Sequence, residues 1–252
     1  MTRVAAVGDL HAGPDSVGTI RSRFEDLPQR ADVLLLAGDL TRRGTEEEGR
    51  IVAGELRDLG VPVAAVLGNH DHHSGQEDRI REHLEAAGVR VLEREGLVLD
   101  IDGTRLGVAG TKGFGGGFAG ASASAFGEDQ MKAFIGHTET LAAGLEEALT
   151  NLRADVRIAL LHYAPVDATL AGERLEIFPF LGSYLLAEAI DRAGADLVIH
   201  GHAHRGKEKG VTAGGITVRN VAETVIRHAY KVYRVGDGVR PGPEAEAARL
   251  AE

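Results

Sequence analysis

The amino-acid sequence predicts an α/β fold with mixed sheets. Short apolar runs alternate with helical patterns in the first third of the chain, strand–turn–strand patterns follow, and no composition break or long linker divides the 252 residues. The simplest organisation is one domain over residues 1–236 with a peripheral tail at 237–252, where Pro241, Pro243 and an acidic Ala/Glu run appear.

Taken in order, residues 3–7 form a short apolar run, and Val17, Ile20, Phe24 and Leu27 then recur at helical spacing. Residues 33–37 are continuously apolar up to Gly38, as expected of a strand buried on both faces. Residues 46–59 carry Val52, Leu56 and Leu59 on one stripe, behind an acidic start that suits a helix N-terminus. A third strand at 63–67 is entered through Pro62, and Ile80, Leu84 and Ala87 mark a third helix. Short strands follow at 89–92, 97–101 and 106–109, the last two joined by Asp102-Gly103, a strong hairpin turn. Residues 113–127 are rich in Gly, Ala and Ser and include Phe114, Phe118 and Phe126; they read as a surface loop placed where a lid would lie. A long helix is expected at 129–152, a strand at 156–161, a helix at 183–193 opened by a Ser183 cap, and strands at 197–200, 216–221 and 229–235.

The composition bounds the function. With 43% hydrophobic and 26% charged residues the chain is an ordinary globular one, and without cysteine it has no disulfide framework, thiolate metal site or thiol nucleophile. No stretch of 18 apolar residues occurs and the first residues lack a signal-peptide pattern, so a cytoplasmic protein with no membrane span is expected. The net charge of −10 argues against nucleic acid as a partner, because that binding needs a basic face. Oligomeric state leaves no trace in the sequence.

Four predicted strands end alike, in an apolar run, a glycine and polar groups able to bind a metal. They read Gly8-Asp9-Leu10-His11, Gly38-Asp39, Gly68-Asn69-His70-Asp71 and His200-Gly201-His202-Ala203-His204; a fifth strand ends Leu161-His162. Asp9, Asp39 and Asn69 stand 30 residues apart, close to the length of a βαβ unit, so they return to one edge of a parallel sheet. Two aspartates, an asparagine and four histidines exceed one tetrahedral site and suit two hard or borderline divalent cations sharing a carboxylate. Such a pair serves in-line attack on phosphorus.

In this order the motifs resemble those of the calcineurin-like metallophosphoesterases, over residues 8–204 and with no expected ligand missing. The resemblance implies a four-layer α/β/β/α sandwich of two mixed sheets flanked by helices. It implies that Asp9, His11, Asp39 and His204 hold one metal ion and that Asp39, Asn69, His162 and His202 hold the other, with Asp39 bridging. His70 would stand over the phosphate and assist departure of the leaving oxygen, with Asp71 orienting its ring. The cofactors would be two divalent ions, manganese, iron or zinc, and the nucleophile a hydroxide bridging them. Two such cations bring about +4 against the two aspartates, so the crevice can attract a phosphate although the chain is acidic.

The branches of the family differ in detail. Arg42 stands where the purple acid phosphatases have a metal-binding tyrosine and where the Ser/Thr protein phosphatases have an aspartate, and the latter carry glutamate in place of Asp71. The chain is therefore most similar to the small bacterial-type phosphohydrolases, and a small soluble phosphodiester or phosphomonoester is the expected substrate. A protein phosphatase and a non-catalytic scaffold on the same fold are the alternatives. His72, His73, His83, His137 and His228 fit no motif, and His200 reads as a satisfied core histidine, with support of a neighbouring ligand as the alternative; Arg43 and Lys112 are candidates to touch the phosphate but read as solvated.

Overall fold

The computed structural model describes residues 1–236, so the expected tail at 237–252 lies outside the described residues. The first part of the chain forms β1 (Thr2–Val7), α1 (Thr19–Ser22), α2 (Leu27–Arg30), β2 (Val33–Ala37), α3 (Glu46–Leu56), β3 (Val63–Val66), α4 (Glu77–Ala86) and β4 (Val89–Val91). The middle forms β5 (Glu95–Ile101), β6 (Thr104–Thr111), β7 (Gly117–Phe118), β8 (Ala121–Ser122) and α5 (Asp129–Asn151). The rest forms β9 (Val156–Leu161), α6 (Phe178–Leu181), α7 (Tyr184–Ala193), β10 (Leu197–His200), β11 (Lys209–Val211), β12 (Thr217–Asn220), α8 (Glu223–Ile226) and β13 (Lys231–Val235).

These strands build two large mixed sheets flanked by helices, as the resemblance implied. The first runs β13-β1-β2-β3-β4, parallel except for β13 at its edge. The second runs β11-β12-β10-β9-β6-β5, with four parallel strands between two antiparallel edges. The alternation of side chains divides the core. In the second sheet Leu106, Val108, Ile158, Leu160, Leu197 and Ile199 join the cluster shared with the first sheet. Their neighbours Ala109, Ala159, Leu161 and Val198 face the other way, onto Leu145 and Leu149 of α5 and Ile190 of α7. Strand β2 is buried along its whole length, with α3 and α4 residues Val52, Leu56, Ile80 and Leu84 in the same cluster.

Local signals set several boundaries. Thr45 accepts from the Glu48 amide in a capping box that opens α3, and Ser183 accepts from the Leu185 amide to open α7. Ile101 pairs with Thr104 across Asp102 and Gly103, whose φ angles of 50° and 82° make the primed turn expected of that dipeptide.

The helical spacing from Val17 to Leu27 does not yield one helix. The chain forms a 3₁₀ turn at Pro14–Ser16 and then the separate turns α1 and α2, with Val17 66% exposed. Gly18 takes φ 77°, and the buried Glu55 of α3 accepts from the amides of Gly18, Ile20 and Arg21, so a tertiary cap interrupts the local pattern. Residues 113–127 depart from the expected surface loop as well. Their first half is tied to α6 by bonds from Gly116 N to Pro179 O and Gly117 N to Gly182 O, and Phe118 is buried, whereas Phe126 is exposed. Among the described residues no helix is long and apolar enough to cross a membrane.

Candidate metal centre

The parallel strands of both sheets point their carboxyl ends at one crevice. Backbone bonds join the sheets there, from Gly8 N to Val221 O and from Glu223 N to Gly8 O. Four predicted ligands sit at the strand ends in the left-handed region: Asp9 (φ 63°), His11 (φ 45°), Asp39 (φ 50°) and His202 (φ 69°). Such angles are unfavourable for residues with a Cβ and persist where surrounding structure imposes them, typically at functional sites.

The preceding glycines are required by space. A Cβ on Gly38 would lie 2.6 Å from His162 Nδ1, and one on Gly201 would lie 2.5 Å from Asp9 Oδ2. At Gly68 it would collide with Asp39 Oδ1 and the Asp39 amide. Gly68→Ala is expected to lower stability by about 1–3 kcal/mol and to cut bound metal sharply, measured by thermal denaturation and elemental analysis.

The predicted ligands gather in two groups that share Asp39. Asp9, His11, Asp39 and His204 bring one ligand atom each within 4.8 Å of one another, and so do Asp39, His162 and His202. Asn69 joins the second group, its Oδ1 2.9 Å from His162 Nε2. Asp39 is only 1% exposed and accepts from the His70 amide at 2.8 Å.

The donor chemistry fits a cation. His162 Nδ1 lies 2.8 Å from the Ala37 carbonyl, a pure acceptor, so the ring proton belongs on Nδ1. Nε2 is then a lone pair facing Asn69 Oδ1 and, at 3.3 Å, Asp39 Oδ1. Three acceptors converge there with no hydrogen between them, the arrangement a metal ion satisfies. His11 Nε2 is buried with no hydrogen-bond partner, 3.8 Å from Asp39 Oδ2. Burial pushes the His11 imidazole down to about 4 and that of His202 down to about 3, which keeps both neutral and able to ligate near pH 7. Burial would raise the Asp9 carboxyl, but the hydrogen bond from His204 and the neighbouring imidazoles hold it below its ordinary value.

Asp71 requires a correction. It does not orient His70; its buried carboxylate accepts from the amides of Leu40, Thr41 and Gly68 and from the Thr41 hydroxyl, tying the β2 loop to the β3 loop. The His70 ring is held instead by its Nδ1, 2.7 Å from the Arg42 carbonyl, and its Nε2 lies 3.9 Å from Asp39 Oδ2. Its side chain is 42% exposed and packs edge-on against His11.

His200 is the core histidine expected. Its Nδ1 donates to the Gly201 carbonyl at 2.8 Å, and its Nε2 lies 2.9 Å from Thr169 Oγ1, whose one hydroxyl hydrogen is shared with the Val166 carbonyl at 2.9 Å. Burial lowers it to about 4. Between pH 4 and about 6.5 the unfolded chain takes up a proton that folded His200 refuses, so stability falls as pH falls through this window. The loss is absent above about pH 6.5 and on the order of 3 kcal/mol once pH 4 is passed. Urea midpoints of chelator-treated protein at pH 7 and pH 5 should therefore differ less in His200→Asn than in the native chain.

Lys112, expected to be solvated, is buried. It is 7% exposed, with its Nζ 4.6 Å from the Phe114 ring centre and 5.1 Å from that of Tyr163. Its cover comes from the rings of Phe114 and of Tyr163, the latter in the loop after β9 and brought there only by the tertiary fold. Arg43 is exposed as expected.

The family model for calcineurin-like phosphoesterases matches residues 2–206, and the chain belongs to that family. A protein of Synechococcus sp. described as a probable cyclic nucleotide phosphodiesterase is 33% identical over 89 residues, which is 31% of this chain and 33% of that protein. The chain thus spans about a third of the length of this curated relative. Among solved structures, the phosphopantetheinyl hydrolase of Mycobacterium tuberculosis superposes with a TM-score of 0.66 at 16% identity, covering 95% of this chain and 98% of that one. A protein of Thermus thermophilus superposes with a TM-score of 0.57, also at 16% identity, over 92% and 98% of the two chains. At these identities the superpositions establish the fold.

Proposed function

We propose that the chain hydrolyses a small soluble phosphoester with the help of two divalent cations, manganese, iron or zinc, bridged by Asp39. The observation that carries this reading is the division of the predicted ligands into two convergent groups with Asp39 in both. Bound there, the cations would supply Lewis acidity, making water acidic enough to attack at neutral pH and offsetting charge on the phosphoryl oxygens.

The residues around them have distinct tasks. Asp9, Asp39 and the neutral imidazoles hold the positive charge in place, and Asp71 holds the two loops that carry Asp39 and Asn69 in register. His70 presents Nε2 to the crevice while the Arg42 carbonyl accepts at Nδ1. That contact fixes the ring's orientation, so Nε2 is placed to pass a proton to the departing alkoxide oxygen. The net charge of −10 weighs against nucleic acid, and the partial match to a described cyclic nucleotide phosphodiesterase leans the reading toward a diester.

The test is hydrolysis of bis-p-nitrophenyl phosphate by chelator-stripped protein with and without manganese. Activity restored by the metal supports the reading and the diester preference. Two metal ions per chain without diester activity would turn the search to monoesters. A chain that binds no metal would defeat the reading and leave a scaffold on this fold.

A further inference from the structure

We infer that Lys112 and the Tyr163 hydroxyl form a substrate-binding wall beside the metal centre that holds an oxyanion of the phosphoester. The inference rests on the hydrolase reading and names residues outside the predicted ligand set.

The placement follows from strand order. β6 lies beside β9 in parallel, with Thr111 opposite Leu161, so Lys112 leaves its strand where His162 leaves the next one. The Lys112 carbonyl accepts from the amides of both His162 and Tyr163, which locks the two strand ends together. Tyr163 then lies with its ring centre 4.4 Å from that of His202, the two planes tilted by 40°. One aromatic ring therefore separates the ammonium from a candidate ligand of the second group.

The ammonium is short of partners. Among the described residues its only hydrogen bond goes to the carbonyl of the adjacent Gly113 at 3.2 Å, and no carboxylate lies within salt-bridge distance. Glu93 is close in the chain's packing, but its carboxylate accepts from the Thr111 hydroxyl and the Lys112 amide instead. The faces of Phe114 and Tyr163 offset part of the charge, and two N–H groups remain without an acceptor. The Tyr163 hydroxyl, on a side chain that is itself buried, makes no hydrogen bond to the described residues either. Burying an ammonium with one backbone acceptor is strongly unfavourable unless an anion arrives. Lys112 is a compact point charge with rotatable donors, suited to a phosphoryl oxygen. The aromatic contacts that flank it exclude water, which strengthens its attraction for that oxygen.

The experiment compares the native enzyme with Lys112→Met and Tyr163→Phe, all loaded with manganese. Methionine keeps most of the stem that packs on Phe114 and Tyr163, and phenylalanine removes the hydroxyl alone. Inorganic phosphate is titrated calorimetrically, and KM and kcat are measured on p-nitrophenyl phosphate and its bis ester. The expected result is phosphate affinity weakened at least about tenfold in Lys112→Met and about threefold in Tyr163→Phe, with KM rising more than kcat falls. Metal content and melting temperature should match the native protein in Tyr163→Phe, which keeps the test meaningful if the lysine variant folds poorly. Unchanged phosphate affinity in both variants, or no phosphate binding by the manganese-loaded native chain, would overturn the inference. A native chain that binds phosphate but cleaves neither ester would defeat the hydrolase reading while the affinities still judge Lys112 and Tyr163.

Discussion

Asp39→Asn is expected to reduce hydrolysis by at least about 10³-fold and to lower bound metal from the two ions per chain proposed above toward one or none. The substitution isolates charge from shape. Asp39 occupies φ 50°, a conformation asparagine tolerates nearly as well as aspartate, so the backbone can stay in place. The side-chain oxygen that accepts from the His70 amide can also be kept by the amide. What disappears is the negative charge common to both ligand groups. Without it the remaining imidazoles and Asn69 supply only neutral donors to the second group, and an NH₂ turned toward His162 or His11 would point hydrogen where a cation should be. Elemental analysis after gel filtration, beside the rate on bis-p-nitrophenyl phosphate, checks both parts. An asparagine variant with full metal content and full rate would remove Asp39 from the centre of the mechanism.

The second large effect belongs to His70. His70→Gln should lower kcat by about 10²–10⁴-fold on an alkyl phosphoester, with little change in metal content. The deficit should shrink on p-nitrophenyl esters, whose leaving group needs no proton. This contrast separates proton donation at Nε2 from a merely structural role, since a misfolded site would slow both substrates alike. The ring is exposed enough to be replaced without a cavity, and its anchor is the Arg42 carbonyl. Because a backbone carbonyl holds it, Asp71→Asn would act on His70 only indirectly, through the loop that Asp71 braces.

Much of the centre is legible in the order of residues alone. The Gly-Asp, Gly-Asn and Gly-His steps at 38–39, 68–69 and 201–202 announce strand ends that must turn at once, and the 30-residue interval between Asp9, Asp39 and Asn69 announces neighbouring parallel strands. Histidine by itself is ambiguous. His200 and His202 are two positions apart, yet His200 is buried between the Gly201 carbonyl and Thr169 while His202 faces Asp39 and His162. The left-handed turn at His202, φ 69°, breaks the strand's alternation and swings the second ring into the crevice.

The order and identity of the candidate ligands, the βα rhythm and the hairpin at Asp102-Gly103 were determined by the sequence, since each rests on short local patterns and on the regular 30-residue interval between them. Other features depended on which segments became neighbours. Glu55 broke the expected helix after Val17, four donors from two loops claimed Asp71, and the pairing of β6 with β9 carried Lys112 under an aromatic cover beside the crevice. The strand pairing alone joins residues 50 positions apart, as Leu106 and Val156 show. Only the closed fold, by removing water from between such segments, gives a buried charge its partners or leaves it waiting for one.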